Sequence, residues 1–280
     1  MATLTKIGIG IFAVALMLIG GVFAATAGVS LSLNNSQPTI VSVTPPAAVD
    51  PTECATSAIG AILVNASDSD GYADISLASS YVNITKGAVT YTAGTCVQIS
   101  ASGPSIEMSC TGASFNYTDV AGAWTLTAHV QDVSGGVANA STTLTLNSGV
   151  LMRANNAPIT FGTVYAGSTD NVNTNSPGFN LENCGNVALN NSITGAAITD
   201  GGTNSIAATQ FRMDDDATPS GGDGGNDAEL TLTTGAQAFN KVGGFAVGST
   251  FNLWSFLNVP TGQAKATYNV GQWTFTPSAA

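Results

Sequence analysis

Short segments in which apolar and polar residues alternate, separated by turn-forming residues, dominate the chain after residue 27. In the clearest one, WTLTAHVQD (124–132), every second residue is apolar: Trp124, Leu126, Ala128 and Val130. Because successive side chains of a β-strand point to opposite faces of a sheet, this alternation predicts strands with one buried face. No long segment beyond residue 27 has helical periodicity. The pattern therefore predicts an all-β protein of the sandwich or barrel type.

The predicted strands fall into two groups, which predict two tandem antiparallel β-sandwiches. The first group lies within residues 38–148, at 39–44, 58–66, 75–85, 89–92, 97–100, 106–109, 115–118, 124–132 and 141–147. Roughly seven to nine strands in this length match one Ig-like sandwich. After a linker at 149–157, the second group lies within 158–280, at 159–167, 178–195, 208–216, 228–234, 249–260 and 266–277.

Two features of the strands predict where the cores lie. Segment 249–260 carries large apolar residues on both faces, which is typical of a strand in the middle of a sheet. Trp124 and Trp273 are predicted to anchor the two cores, one in each sandwich.

The first 27 residues have the order of a secretory signal peptide. Lys6 precedes the apolar run 7–23, and Ala25-Thr26-Ala27 follows as a small-residue cleavage site. The alternative is an uncleaved membrane anchor with Lys6 on the inner side. Both interpretations place residues 28–280 outside the cell, as an extracellular or cell-surface protein.

Residues 28–37 are predicted to form an N-terminal extension strand. The part GVSLSLNNS (28–36) alternates and carries no charge. It either begins the first domain or adds to an open sheet edge of another copy, because an extended segment can complete an unpaired edge.

The charge of the exported part excludes one class of partner. Without Lys6, five basic and 17 acidic side chains remain, a net charge of −12. A chain of this charge repels nucleic acid. With 44% hydrophobic residues, the chain can still build folded cores.

Four cysteines enter an oxidising compartment, where disulfides are expected. Cys96 and Cys110 are close in sequence and adjoin predicted strands, so we expect them to pair. Cys54 and Cys184 remain; they either pair across the predicted domain boundary or stay free.

The stretch DSDGYAD (68–74) is the candidate metal site. Asp68, Asp70 and Asp74 surround Gly71, and Asp132 ends the strand 124–132 and is expected to join them from a neighbouring turn. Calcium prefers several carboxylate oxygens brought together by backbone turns. The first interpretation is an ordinary turn, in which aspartate side chains accept hydrogen bonds from nearby amides, and the calcium site is the alternative. No other cofactor is predicted.

Two further features bear on function. The acidic, glycine-rich segment 214–227 is interpreted as a solvated loop, with an ion-binding or partner-binding tip as the alternative. Six sequons are candidate glycosylation sites: Asn34, Asn65, Asn83, Asn116, Asn139 and Asn190.

Nothing in the sequence matches a catalytic motif. The one histidine, His129, alternates with threonines on a polar strand face, and no nucleophile elbow, metalloprotease motif or phosphate-binding loop is present. We therefore predict a protein that is not an enzyme.

Two resemblances refine the fold. The segments NNSQPTIVSVT, DSDGYADIS and AGAWTLTAHVQDVSGGVANASTTLTL resemble the PKD and related Ig-like modules of secreted, especially archaeal, surface proteins. The second unit is similar to another extracellular β-sandwich with the pattern F-G-x-V-x-x-G and then x-N-x-G-N. Its matching residues are Phe161, Gly162, Val164, Gly167, Asn183, Gly185 and Asn186, with Cys184 where threonine or serine is usual.

These features together predict a structural or adhesive cell-surface protein that contacts other surface proteins or copies of itself. Its contact with a membrane would be limited to an uncleaved N-terminal segment. The alternatives are a filament subunit that assembles by donor-strand exchange and a carbohydrate- or protein-binding module.

Overall fold

The computed structural model describes residue 31 and residues 34–154, 158–174, 179–214, 230–239, 244–269 and 271–280. The predicted signal segment 1–27 and residues 215–227 of the acidic loop lie outside the described residues. The described part is all β, as predicted, and contains two 3-10 turns (Tyr72–Asp74 and Ala208–Gln210) but no α-helix. The described residues therefore contain no helix that is long and apolar enough to span a lipid bilayer.

Ten strands form the first half of the fold. They are β1 (Thr39–Thr44), β2 (Ser57–Ala58), β3 (Ile62–Ser67), β4 (Ile75–Lys86), β5 (Val89–Ala93), β6 (Thr95–Ser102), β7 (Ser105–Thr111), β8 (Ser114–Phe115), β9 (Gly122–Asp132) and β10 (Val137–Leu146). Two four-stranded antiparallel sheets result, with the orders β1-β3-β7-β6 and β10-β9-β4-β5. Strands β2 and β8 form a separate pair.

The apolar faces of these two sheets form a continuous core. In β9, Trp124, Leu126, Ala128 and Val130 are buried, in agreement with the predicted alternation. They pack in one cluster with Ile62, Val64 and Ala66 of β3. Alternation of this kind buries one side of each sheet and leaves the other to solvent, which is the arrangement of a β-sandwich.

The described residues of the second half form eleven strands, most of them short. They are β11 (Met152–Ala154), β12 (Asn171–Val172), β13 (Phe179–Asn183), β14 (Leu189–Thr194), β15 (Ile198–Thr199), β16 (Ser205–Ile206), β17 (Phe211–Asp214), β18 (Leu230–Thr231), β19 (Gln237–Phe239), β20 (Thr250–Leu257) and β21 (Thr274–Ala279). The largest sheet has the order β11-β13-β20-β17-β18, and β12 also pairs with β20. Strands β19-β14-β21 form a second sheet, and β15-β16 form a hairpin pair.

Strand β20 lies between β13 and β17, in the middle of its sheet, as its two apolar faces predicted. Its residues Leu253, Phe256 and Leu257 are buried. Trp124 is buried in the first core, whereas Trp273 lies at the margin of the second, packed edge-on against Phe211.

Candidate functional site

Three strand ends bring Asp68, Asp74 and Asp132 together at one end of the first sandwich. Asp68 follows β3, Asp74 precedes β4, and Asp132 is the last residue of β9. Strands β4 and β9 pair so that Ile75 lies opposite Asp132, and the Val133 amide donates to the carbonyl of Asp74 at 2.7 Å. Each of the three aspartates offers a carboxylate oxygen within 4.8 Å of the others.

A tight turn places Asp68 at this end. Gly71 has φ of 111°, a backbone conformation that favours glycine, and its amide donates to the carbonyl of Asp68 at 3.1 Å. The Asp70 amide donates to Asp68 Oδ1 at 2.9 Å. This geometry is the aspartate turn that the simpler interpretation predicted, and it uses one of the two carboxylate oxygens.

Asp132 has well-defined partners on both carboxylate oxygens. Its Oδ1 accepts hydrogen bonds from the amides of Ser134 and Gly136 at 2.9 and 2.8 Å, and its Oδ2 accepts one from Asn35 Nδ2 at 2.8 Å. The bond from Asn35, with the backbone bonds of the following turn, holds the pKa of Asp132 below its usual value against the effect of burial.

The other two carboxylates each have one buried oxygen, Oδ2, with no hydrogen-bond partner among the described residues. Asp68 is only 1% exposed. Buried polar atoms are almost always paired, and an unpaired carboxylate oxygen carries a large desolvation cost. No basic side chain in the described ranges forms a salt bridge with these acids.

The pKa of Asp74 also indicates that its charged form is poorly stabilised. Burial raises its pKa, and the neighbouring charges of Asp132, Asp68 and Asp70 raise it further. A nearby cation would offset both effects, because it stabilises the charged form of each carboxylate.

These residues fit a hard cation such as calcium, which takes six to eight oxygen ligands in irregular geometry. Asp68, Asp74 and Asp132 would supply carboxylate oxygens, and water or nearby carbonyls would complete the shell. Asp70, the fourth predicted ligand, is not in this group; its Oδ2 accepts a hydrogen bond from the Ser36 amide at 2.7 Å.

Cys54, Glu182 and Cys184 also lie close together. However, Cys54 and Cys184 form a disulfide, so their sulfurs are not thiolate ligands. The disulfide joins the segment before β2 in the first half of the fold to the residue after β13 in the second half. Cys96 and Cys110, which face each other across β6 and β7, form the other disulfide.

The turn Asn183–Asn186 also contacts the segment that leads from the first half of the fold to the second. Asn186, 6% exposed, accepts a bond from the Gly149 amide at 2.7 Å and donates to the carbonyl of Asn147 at 2.9 Å. A Cβ atom on Gly185 would collide with the carbonyl oxygen of Gly149, so a side chain does not fit there. Sequence reasoning identified this N-x-G-N turn but not its partner in the predicted linker.

The remaining predicted residues are dispersed. His129 Nδ1 lies 3.0 Å from Asn139 Oδ1, and its ring stacks on Tyr81. The sequon residues Asn65, Asn83 and Asn190 lie half-buried within strands, whereas Asn34, Asn116 and Asn139 are exposed.

No protein-family model matches the chain, and no curated protein matches it. Several solved structures resemble it distantly, among them the following three. Dimeric latent PorU from Porphyromonas gingivalis is 12% identical over 84% of this chain and 20% of its own, with a TM-score of 0.28. The chaperone–tip adhesin complex of CFA/I fimbriae biogenesis is 10% identical over 87% and 84%, with a TM-score of 0.34. Secreted serine protease VesC from Vibrio cholerae is 12% identical over 86% and 51%, with a TM-score of 0.21.

This chain therefore spans a fifth of the PorU chain and half of the VesC chain. With TM-scores this low, these likenesses identify no family.

Proposed function

We propose that this chain is an extracellular structural protein, without catalytic activity, in which two β-sandwiches are locked into one stiff body and the first binds calcium. The observation that carries the proposal is the joint made by Cys54–Cys184 and Asn186. A covalent bond and two hydrogen bonds to the intervening segment restrict the hinge that tandem domains otherwise keep.

The location follows from the chemistry of the cysteines. All four are in disulfides. Disulfides persist in oxidising compartments and are rare in the cytosol. The signal-like residues 1–27 support export independently.

Calcium has a structural role in this proposal. Binding at Asp68, Asp74 and Asp132 ties the ends of β3, β4 and β9 to one ion and removes the repulsion among their carboxylates. Extracellular calcium modules commonly have dissociation constants of about 10⁻⁴ to 10⁻³ M, which suits an exported protein.

The test compares the two disulfides. The double variant Cys54→Ser/Cys184→Ser removes the bond between the sandwiches, and Cys96→Ser/Cys110→Ser removes one within the first. In the chain-entropy model, loops with sequence separations of 130 and 14 residues correspond to losses of about 5 and about 3 kcal/mol.

We expect only the Cys54/Cys184 variant to gain inter-sandwich motion, seen as a larger radius of gyration in X-ray scattering and faster proteolysis within 147–158. The Cys96/Cys110 variant should be less stable but should keep the wild-type radius of gyration. Equal scattering and proteolysis for wild type and both variants would refute the stiff joint. Recovery of the protein only from the cytosolic fraction of its native cells, with free thiols, would refute the extracellular role.

A further inference from the structure

The first sandwich has four edge strands, and only one of them is long and regular. The ladder of β1 shifts register between Ile40 and Ser42, and that of β6 shifts between Gln98 and Ser100. Strand β5 has five residues. Strand β10 pairs with β9 over ten residues without irregularity. Bulges and short lengths discourage pairing with other chains, so β10 is the edge best suited to pair with a further strand.

The free side of β10 can be identified from its end. The Val49 amide donates to the carbonyl of Thr145, and the Asn147 amide donates to the carbonyl of Val49, each at 2.9 Å. Backbone groups alternate along a strand, so the odd-numbered residues face away from β9. At Val137, Asn139, Ser141 and Thr143, the amides donate no backbone hydrogen bond to any described residue, and the carbonyls accept none from one.

The sequence and packing of β10 also suit an added strand. The strand, VANASTTLTL, has no charged residue and no proline. Its inward-facing residues Ala138, Ala140 and Thr142 are only half-buried, whereas Ala128 and Val130 opposite them on β9 are buried. A neighbouring strand would cover this margin and satisfy the free backbone groups.

The segment GVSLSL (28–33) has the matching chemistry. Val29, Leu31 and Leu33 alternate with serines, no residue is charged, and six residues span about 20 Å, close to the length of 137–143. Leu31 is 80% exposed, so most of its apolar side chain is accessible to a partner.

We propose that residues 28–33 of one copy add as a strand to the free edge of β10 in a second copy. Each copy then donates one strand and accepts another at a different surface, so the contact is heterologous and propagates into linear assemblies unless it closes into a ring. This self-association needs neither calcium nor the joint between the sandwiches.

Cysteine cross-linking of the full chain in mild detergent tests the pairing. In an added strand, Ser30 and Ser32 would lie on the same outer face as Ser141 and Thr143. Chains carrying Ser30→Cys or Ser32→Cys are mixed with differently tagged chains carrying Ser141→Cys or Thr143→Cys and oxidised. We expect mixed-tag dimers, and none when Val97→Cys on the bulged strand β6 replaces the β10 variants.

The proposal would be overturned if no pair of variants gave a mixed-tag dimer. It would also be overturned if a chain carrying both added cysteines cross-linked only within itself. A mixed dimer that forms equally with Val97→Cys would overturn it as well, because the contact would not select β10.

Sedimentation measures the strength of the same contact. Leu31→Asp and Ser141→Pro should each raise the dissociation constant of self-association by at least about tenfold. Ser30→Asp puts the same charge on the opposite face, and Ser141→Ala keeps the amide, so both should associate like wild type. Proline is tolerated where an edge amide faces solvent, and an unchanged melting temperature checks that Ser141→Pro folds. Because all variants share residues 7–23, their differences report only on the proposed contact. Equal association of every variant would contradict it.

Discussion

The acidic turns of the two sandwiches have similar residues but different electrostatics. In the second sandwich, Asp200 Oδ1 accepts bonds from the amides of Gly202 and Asn204 at 2.8 and 3.2 Å, and Oδ2 accepts one from Asn204 Nδ2 at 2.6 Å. These bonds, the one from the Asn204 side chain first, lower the pKa of Asp200. In the first sandwich, the pKa of Asp74 is raised, and Asp68 and Asp74 each keep an unpaired oxygen.

The difference teaches that the segments packed against an acidic turn decide whether its charge is already satisfied. Asp200 lies within the β15–β16 hairpin, and its own turn satisfies its charge. The turn at Asp68 meets the end of β9, which adds the carboxylate of Asp132 to a partly buried place. Converging carboxylates repel one another unless a cation lies between them.

Among the tests of this comparison between the two acidic turns, the largest expected effect is stabilisation by calcium. At a calcium concentration 100 times the dissociation constant, binding adds about 2.7 kcal/mol. For a protein of this size, the melting temperature should rise by about 5–10 °C. Scanning calorimetry with calcium and with chelator measures it. Asp68→Asn should abolish the rise, and Asp200→Asn should leave it unchanged; a rise that survives Asp68→Asn would place the ion elsewhere.

Without calcium, neutralising the two turns should change stability in opposite directions. Asp74→Asn should raise the melting temperature in chelator, because it removes repulsion from Asp132 and Asp68. Asp200→Asn should lower it, because the amide loses the charge that its donors stabilise. Both shifts should be smaller than the calcium effect. Thermal melts at pH 7 compare them, and shifts of the same sign would erase the proposed distinction.

Acid should weaken calcium binding through Asp74. Because its folded pKa lies above the usual 3.8, the apo folded state gains stability from this group as the pH falls through the raised pKa. Over the same range the proton competes with calcium, so the calcium dissociation constant should rise. The pKa values of Asp132 and Asp200 are lowered, so these two groups affect stability in the opposite direction. The stability that they contribute is lost as the pH falls through their folded-state pKa values.

Calorimetric titration with calcium at several pH values checks this competition. The matched control is Asp200→Asn, which should keep the wild-type dependence. A calcium affinity that stays constant down to pH 4 would exclude Asp74 as a ligand.

The smallest effect is expected for Asp70→Asn. Asp70 bonds to the Ser36 amide rather than joining the other three acids, so its charge acts on the ion only at a distance. Calcium affinity should fall by less than about tenfold in a direct titration. A complete loss of binding would make Asp70 a ligand.

The strands of the first sandwich were largely predictable, because the alternation in 124–132 and 141–147 is local and the flanking turns mark its ends. The lengths of the strands were less predictable. Strand β10 begins at Val137 rather than Ser141, because the small Ala138 and Ala140 differ little in hydrophobicity from their neighbours. In the second sandwich, the central place of β20 was predictable from its two apolar faces. The marginal place of Trp273 was not, because packing against Phe211 depends on other strands.

The sequence alone determined the all-β class. It also placed Asp68, Asp70 and Asp74 close together along the chain, and Cys96 close to Cys110. These features depend on residues that are near one another in the sequence. The tertiary structure decided that Asp132 joins the cluster while Asp70 turns to Ser36. It also decided that Cys54 meets Cys184 and that Asn186 holds Asn147 and Gly149. The physical reason is that periodicity reports which face of a strand is buried, whereas contacts between distant residues arise only when the sheets pack.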